Sequence, residues 1–172
     1  MSRGSQVLRH ALAGGAPEGR DRLEALGIRE AAEAGNHADA LRMEESRAAK
    51  IESQETERDG RPGEDTAREL VSVAWYALVA RQFDRALTAS ERAQKLLPSD
   101  PSIEINRAHA LMFLGRGEEA KEIYLAHKGQ RISAPDGDLW ERVIKEDFGE
   151  LGKTGLTHPM MAEIEKRLGL SP

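Results

Sequence analysis

Arg81-Gln-Phe-Asp-Arg-Ala86-Leu87 and, 34 positions later (115 − 81), Gly115-Arg-Gly-Glu-Glu-Ala120-Lys121 carry one small pattern: a turn residue, then alanine five positions on. Gly35-Asn-His-Ala-Asp-Ala40-Leu41 shows it a third time, 46 positions before Arg81 (81 − 35), so that interval holds 12 extra residues. A recurring period of this size marks a chain built from stacked supersecondary units. The extra residues fall within 51–65, where Gly60, Pro62 and Gly63 interrupt a polar run, and a longer loop is expected there.

Around these turns the chain reads as helix. Small residues at Ala74, Ala86, Ala108 and Ala120 let helix backbones approach closely, and larger apolar residues at i, i+3, i+4 and i+7 supply the stripe to be buried. One helix pair cannot bury that stripe, so neighbours must stack. Thr66-x-x-Glu69 reads as a capping box opening a helix to about Arg81, and a helix over 83–97 is stopped by Pro98. Asp100 as N-cap with Pro101 opens the next, which Leu114-Gly115 ends. A helix over 118–128 closes at Gly129. Asp138-x-x-Glu141 opens a helix along Leu139, Val143, Ile144, Phe148 and Leu151, and Thr157-His-Pro159 opens a last one through Met160, Ile164 and Leu168.

On these residues the chain resembles the tetratricopeptide repeat (TPR) family. With Pro98 as the proline that closes a repeat, Leu70, Val73, Ala74, Ala77, Phe83, Ala86, Ala93 and Leu96 occupy positions where that family has apolar or small residues. One period on, Ala108, Leu111, Leu114, Gly115, Ala120 and Tyr124 do likewise. The chain departs from the pattern at Leu70 and Glu104, where a large aromatic is usual, and at Ile132, where the closing proline would stand. The first copy rests only on Ala31, Ala34, Gly35, Ala40 and Leu41. The run 106–115 with Leu156-Thr-His-Pro159 is similar to TPR tails of larger bacterial proteins. The implied fold is an all-α, α-α superhelix of about three helix pairs (21–54, degenerate, then 67–100 and 101–134) with a C-terminal capping pair over 138–170.

Composition bounds the rest. The chain has 172 residues, enough for one domain over 20–172 behind a loose tail at 1–19 rich in glycine. Charged residues make up 32% and aromatics 4%, which suits a thin helical architecture and disfavours a β-sandwich. The net charge of −5 and the absence of a Lys/Arg block argue against nucleic acid. No cysteine is present, so thiolate nucleophiles and Cys-zinc sites are excluded, and a cytoplasmic setting is expected. No apolar run is long enough for a membrane span, and Val7-Leu8 and Ala11-Leu12-Ala13 are too short for a secretory core.

Motifs for chemistry are weak. Gly152-Lys153-Thr154 looks like the end of a phosphate loop, yet Asp147 stands where that loop needs glycine, and a helix C-terminus reads better. Asp136-Gly-Asp138 hints at a calcium loop, but Trp140 and Glu141 replace the required oxygen ligand and glycine. His10, His37, His109, His127 and His158 show no metal-ligand spacing. No catalytic site, metal or cofactor is therefore expected.

The resemblance implies that the first helix of each pair lines a concave groove. Arg68, Val71, Trp75, Leu78 and Val79, then Ile105, Asn106, His109, Met112 and Phe113, are the partner-binding residues so implied. The degenerate first copy adds Arg22, Ala25, Leu26, Arg29, Ala32 and Glu33. Val71 and Trp75 replace the Lys and Asn of the basic clamp that grips chaperone tails, so that use is rejected. Such an apolar face needs a filler: either the chain itself, through the Trp140 or Phe148 helix or the N-terminal tail, or a partner's helix or peptide. The expected function is a non-catalytic protein-interaction module or scaffold. The competing reading is a ligand-binding or enzyme-associated helical domain using Arg68, Asn106 and His109. Homo-oligomerisation through the C-terminal pair is compatible with the interaction-module reading.

Overall fold

The computed structural model describes residues 19–132 and 137–170, and these are all-α. We number the helices α1 (Gly19–Glu33), α2 (His37–Asp59), α3 (Glu64–Val79), α4 (Phe83–Leu96), α5 (Pro101–Phe113), α6 (Gly117–Ala126), α7 (Trp140–Lys153) and α8 (Pro159–Leu168). Among the described residues there is no strand; Arg131 and Leu139 form an isolated bridge across the connection before α7. The expected tail over 1–19 lies outside the described residues, except for Gly19, which opens α1.

The turn pattern read from the sequence has a common backbone cause. Gly35, Arg81, Gly115 and Gly155 all have positive φ, at 82°, 59°, 78° and 76°. In each case the next amide reaches back to the carbonyl five residues earlier: Asn36 to Ala31, Gln82 to Ala77, Arg116 to Leu111 and Leu156 to Leu151, at 2.8–2.9 Å. This left-handed stop satisfies a carbonyl that the helix end would otherwise leave unpaired, and it reverses the chain. It recurs at α1–α2, α3–α4, α5–α6 and α7–α8. Ala40, Ala86 and Ala120, five residues after the first three turns, are fully buried where the paired helices meet.

Each pair packs on the next. α2 lies against α3, α3 and α4 against α5, and α6 against α8. Charged side chains add a tie from α4 to α2, where Arg85 and Arg92 pair with Glu45 and Glu52, and reinforce α6 on α8, where Lys121 pairs with Glu163 at 3.2 Å.

Three local expectations change. The extra residues after the first turn do not form a long loop. They extend α2 to Asp59, and only 60–63 are non-helical, because the run before Gly60 holds no breaker. Thr66 does not cap its helix. α3 begins at Glu64, and its opening amides are held from α2 by the Glu55 carboxylate, which accepts from Gly63 N (2.7 Å), Asp65 N (3.1 Å), Thr66 N (3.0 Å) and Thr66 Oγ1 (2.6 Å). Burial alone would raise the Glu55 pKa, but these donors outweigh it and hold the group below the usual carboxylate range. Asp138 does not cap α7 either. It bridges to Arg142, and Glu141 accepts the Gly129 amide. The Asp100–Pro101 start and the Pro159 start stand as read, with Asp100 accepting from Ser102 N at 2.9 Å and His158 Nδ1 from Met160 N at 3.2 Å.

Candidate functional site

The expected groove residues lie on two neighbouring helices. Arg68, Val71, Trp75, Leu78 and Val79 are on α3, and Ile105, Asn106, His109, Met112 and Phe113 are on α5. Eight of these ten are buried within the chain; Arg68 and Phe113 are half-buried. α3 sits between α2, α4 and α5, so little of its circumference reaches solvent. Over α5 the cover comes from the C-terminal pair. The Phe148 ring packs on His109 at 5.5 Å and edge-on to Tyr124 at 5.7 Å. The Phe113 ring stacks on Phe83 at 4.9 Å and meets His158 edge-on at 6.0 Å. Asn106 Nδ2 donates to the Val71 carbonyl at 3.0 Å, tying α5 to α3.

The polar residues of the competing ligand-pocket reading do not converge. Arg68 pairs with Glu64, Asn106 with Val71, and His109 with a different cluster altogether. In that cluster His109 Nδ1 lies 2.7 Å from Tyr124 Oη and Nε2 lies 3.3 Å from Asp147 Oδ2, and all three residues are fully buried. Burial, then the Asp147 charge, pushes the Tyr124 hydroxyl pKa well above its ordinary value. The arrangement joins α5, α6 and α7, and none of its three side chains reaches the surface of the described chain. Trp140 completes it by donating Nε1–H to the Tyr124 carbonyl at 2.8 Å.

The first helix pair is different. Three large apolar side chains stand in water there: Leu23 is 70% exposed, Leu26 43% and Met43 38%. Leu23, Leu26 and Gly27 share one face of α1 by their i, i+3, i+4 spacing. The Met43 methyl lies 3.3 Å from the position a Cβ on Gly27 would take, so α2 continues the patch. Beside it a cleft of about 420 Å³ runs between α1 and α2, lined by Glu24, Ile28, Arg42, Met43, Ser46, Arg47 and Lys50. Each cation there has a carboxylate neighbour: Lys50 has Asp21 (3.1 Å) and Glu24 (3.5 Å), Arg42 has Asp39 (2.8 Å), and Arg47 has Glu69 (3.2 Å). Of the first copy's expected inner residues, Arg22, Leu26, Arg29 and Glu33 are exposed and Ala25 and Ala32 half-buried. The sequence reading reached Leu26 but missed the cleft. Its α2 side needs the i, i+1, i+4, i+5, i+8 set 42, 43, 46, 47 and 50, which is mostly polar and carries no apolar signal.

Behind the cleft, Glu44 is buried at the α2–α3 interface next to Glu69. Burial first, then the Glu69 carboxylate, pushes the Glu44 carboxyl up to about 8, against a partial pull from Arg47.

The two motif look-alikes take no part. Lys153 pairs with Glu150, and Thr154 Oγ1 donates to the Leu151 carbonyl, as a helix terminus does. Asp136 lies outside the described residues. Among the described residues no group of three or more His, Asp or Glu is placed to hold a metal ion, and no helix is long and apolar enough to cross a membrane. No protein-family model, no curated protein and no solved structure matches the chain.

Proposed function

We propose that the chain is a non-catalytic protein-interaction module, a repeat scaffold of TPR type, which takes an apolar helix or peptide of a partner protein. The observation that carries this reading is the apolar patch Leu23–Leu26–Met43 beside an open cleft, on the helix pair that the other described elements leave uncovered. A contiguous apolar patch on an otherwise highly charged chain is the usual mark of a docking surface. The recurring left-handed turns and buried alanines support the repeat reading. Because eight residues of the implied inner groove are buried by the chain's own helices, the docking surface is assigned to the first pair and not to Trp75 and Met112. A cytoplasmic setting belongs to the same proposal.

Site-specific photocrosslinking in cells that make the protein tests it. A crosslinking residue at Leu26 is expected to give a discrete protein adduct, and one at Leu139, exposed at the other end of the chain, is not. Equal adducts from both positions, or none from Leu26, would overturn the assignment.

A further inference from the structure

We infer that the α2–α3 junction is a proton-sensitive joint: the first helix pair stays docked on the rest of the chain while the Glu44–Glu69 pair carries one proton and Glu55 carries none. This stands independently of the interaction reading above. α2 ties the first pair to the rest, packing on α3 and sending Glu45 and Glu52 to Arg85 and Arg92 of α4. Two buried carboxyl sites lie in that tie, and they make opposite demands. At the first, Glu44 of α2 and Glu69 of α3 are both buried and in hydrogen-bonding contact. One cation faces them, Arg47, which bridges Glu69 at 3.2 Å. One guanidinium compensates one carboxylate, so a second ionised carboxylate would be a buried charge without a counterion. Glu44 Oε1 and Glu69 Oε2 also lack a hydrogen-bond donor among the described residues. A single proton on the pair removes the surplus charge and turns one carboxyl into a donor to the other.

The remaining ionisable groups around the pair do not replace that proton. Burial, then the Glu44 charge, pushes the Tyr76 hydroxyl of α3 up to about 12, and Arg29 and Glu33 of α1 act on it with opposite sign. Lys50 is held by Asp21 and Glu24 of α1, and the α4 arginines are held by Glu45 and Glu52. At the second site the Glu55 oxygens accept from Gly63 N, Asp65 N, Thr66 N and Thr66 Oγ1, with Arg58 at 4.0 Å and itself bridged to Asp65. An ionised carboxylate offers acceptors only, so these donors fit it and a proton would displace one of them. The Glu44 contribution to docking is complete below 4.5 and is lost as pH rises toward about 8. The Glu55 contribution is complete above 4.5 and is lost as pH falls through its lowered value. Between these limits, opening of the first pair releases the proton held by Glu44 and Glu69, so the opening constant rises by up to about tenfold per pH unit.

Amide hydrogen exchange on the full chain, at about pH 5.5 and about pH 7 and corrected for the intrinsic rate, tests the joint. Protection of α1 and α2 is expected to fall by about tenfold or more between the two, and that of α5 and α7 by less than about threefold. Glu44→Gln, neutral at both values, is expected to flatten the fall in α1 and α2 with circular dichroism unchanged. Glu45→Gln, which removes an exposed tie to Arg85, is expected to leave the pH ratio as in the wild type. Toward about pH 3 the wild-type first pair is expected to lose protection again, and Glu55→Gln to show no acid loss beyond that of α5 and α7. An equal alkaline fall in α5 and α7 would couple the proton to the whole fold and overturn the joint. So would a fall in α1 and α2 that persists in Glu44→Gln, and an acid loss unchanged in Glu55→Gln would overturn the second site.

Discussion

The two terminal helix pairs are built by the same turn and end in opposite states. α7 buries Trp140, Val143, Ile144, Asp147, Phe148 and Leu151, while on α1 Ile28 is buried and Leu23 and Leu26 are exposed. The difference follows from what each has to pack on. α7 lies across both α5 and α6, so its stripe and its polar group find partners: Phe148 meets two rings, Asp147 meets His109, and Trp140 Nε1 meets a carbonyl. α1 has α2 on one side and no described element on the other. A large apolar side chain gains roughly 1.5–3 kcal/mol on full burial, and Leu23, Leu26 and Met43 forgo part of that gain within the described chain. Among the described residues, the C-terminal pair buries its apolar stripe and the first pair leaves Leu23, Leu26 and Met43 exposed, which is the surface the proposed docking would use.

Four substitutions break or sharpen this contrast. Trp140→Ala should have the largest effect. It empties a fully buried site and removes a donor from the Tyr124 carbonyl, so a loss of about 3–5 kcal/mol is expected by chemical denaturation. A loss under about 1 kcal/mol would mean that α7 is not part of the core. Tyr124→Phe keeps the ring contacts and deletes the hydroxyl 2.7 Å from His109; a loss of roughly 1–3 kcal/mol is expected, measured by the same denaturation.

Glu44→Gln tests the interface behind the open pair through its pH dependence. The folded-state pKa of Glu44 is raised to about 8 from the ordinary 4.5. The folded protein therefore holds this proton where the unfolded chain has released it. Stability from this site is fully present below 4.5 and is lost as pH rises toward about 8. Gln is neutral throughout and can still donate to Glu69, so the variant should show a flatter profile and a Tm a few degrees higher at the alkaline end, by calorimetry at a series of pH values. An unchanged slope would place the titration elsewhere. Leu23→Ser should change stability least, within about 0.5 kcal/mol, because the side chain is 70% exposed. Its loss should be in partner capture, read from the Leu26 crosslink.

How much was legible differs along the chain. The ends of α4 and α5 were readable from Pro98, Asp100-Pro101 and Gly115, since each acts within one turn of itself, whereas α6 stops at Ala126, ahead of the Gly129 expected to close it. The α2–α3 connection was not. Gly60, Pro62 and Gly63 do break the chain, but the residues before them extend α2 and gain Arg92 on Glu52 and an opening cap for α3 from Glu55, contacts made across helices. Thr66-x-x-Glu69 matched a capping box by spacing, yet the Glu55 carboxylate reached those amides first, and Glu69 pairs with Arg47 instead. The implied groove residues were identified, through the resemblance, as an apolar surface needing a filler.

Which filler covers that surface is a tertiary matter. The sequence alone determined the all-α class, the recurring turn and the alanines at the close approaches, because these depend on backbone preference and on residues three to five apart. Only the packed chain decided that the α5 face closes on Phe148 and Asp147, and that Leu23, Leu26 and Met43 stay outside. An apolar stripe specifies that something must cover it; what does so is set by which distant segment arrives with matching shape and a partner for each polar group.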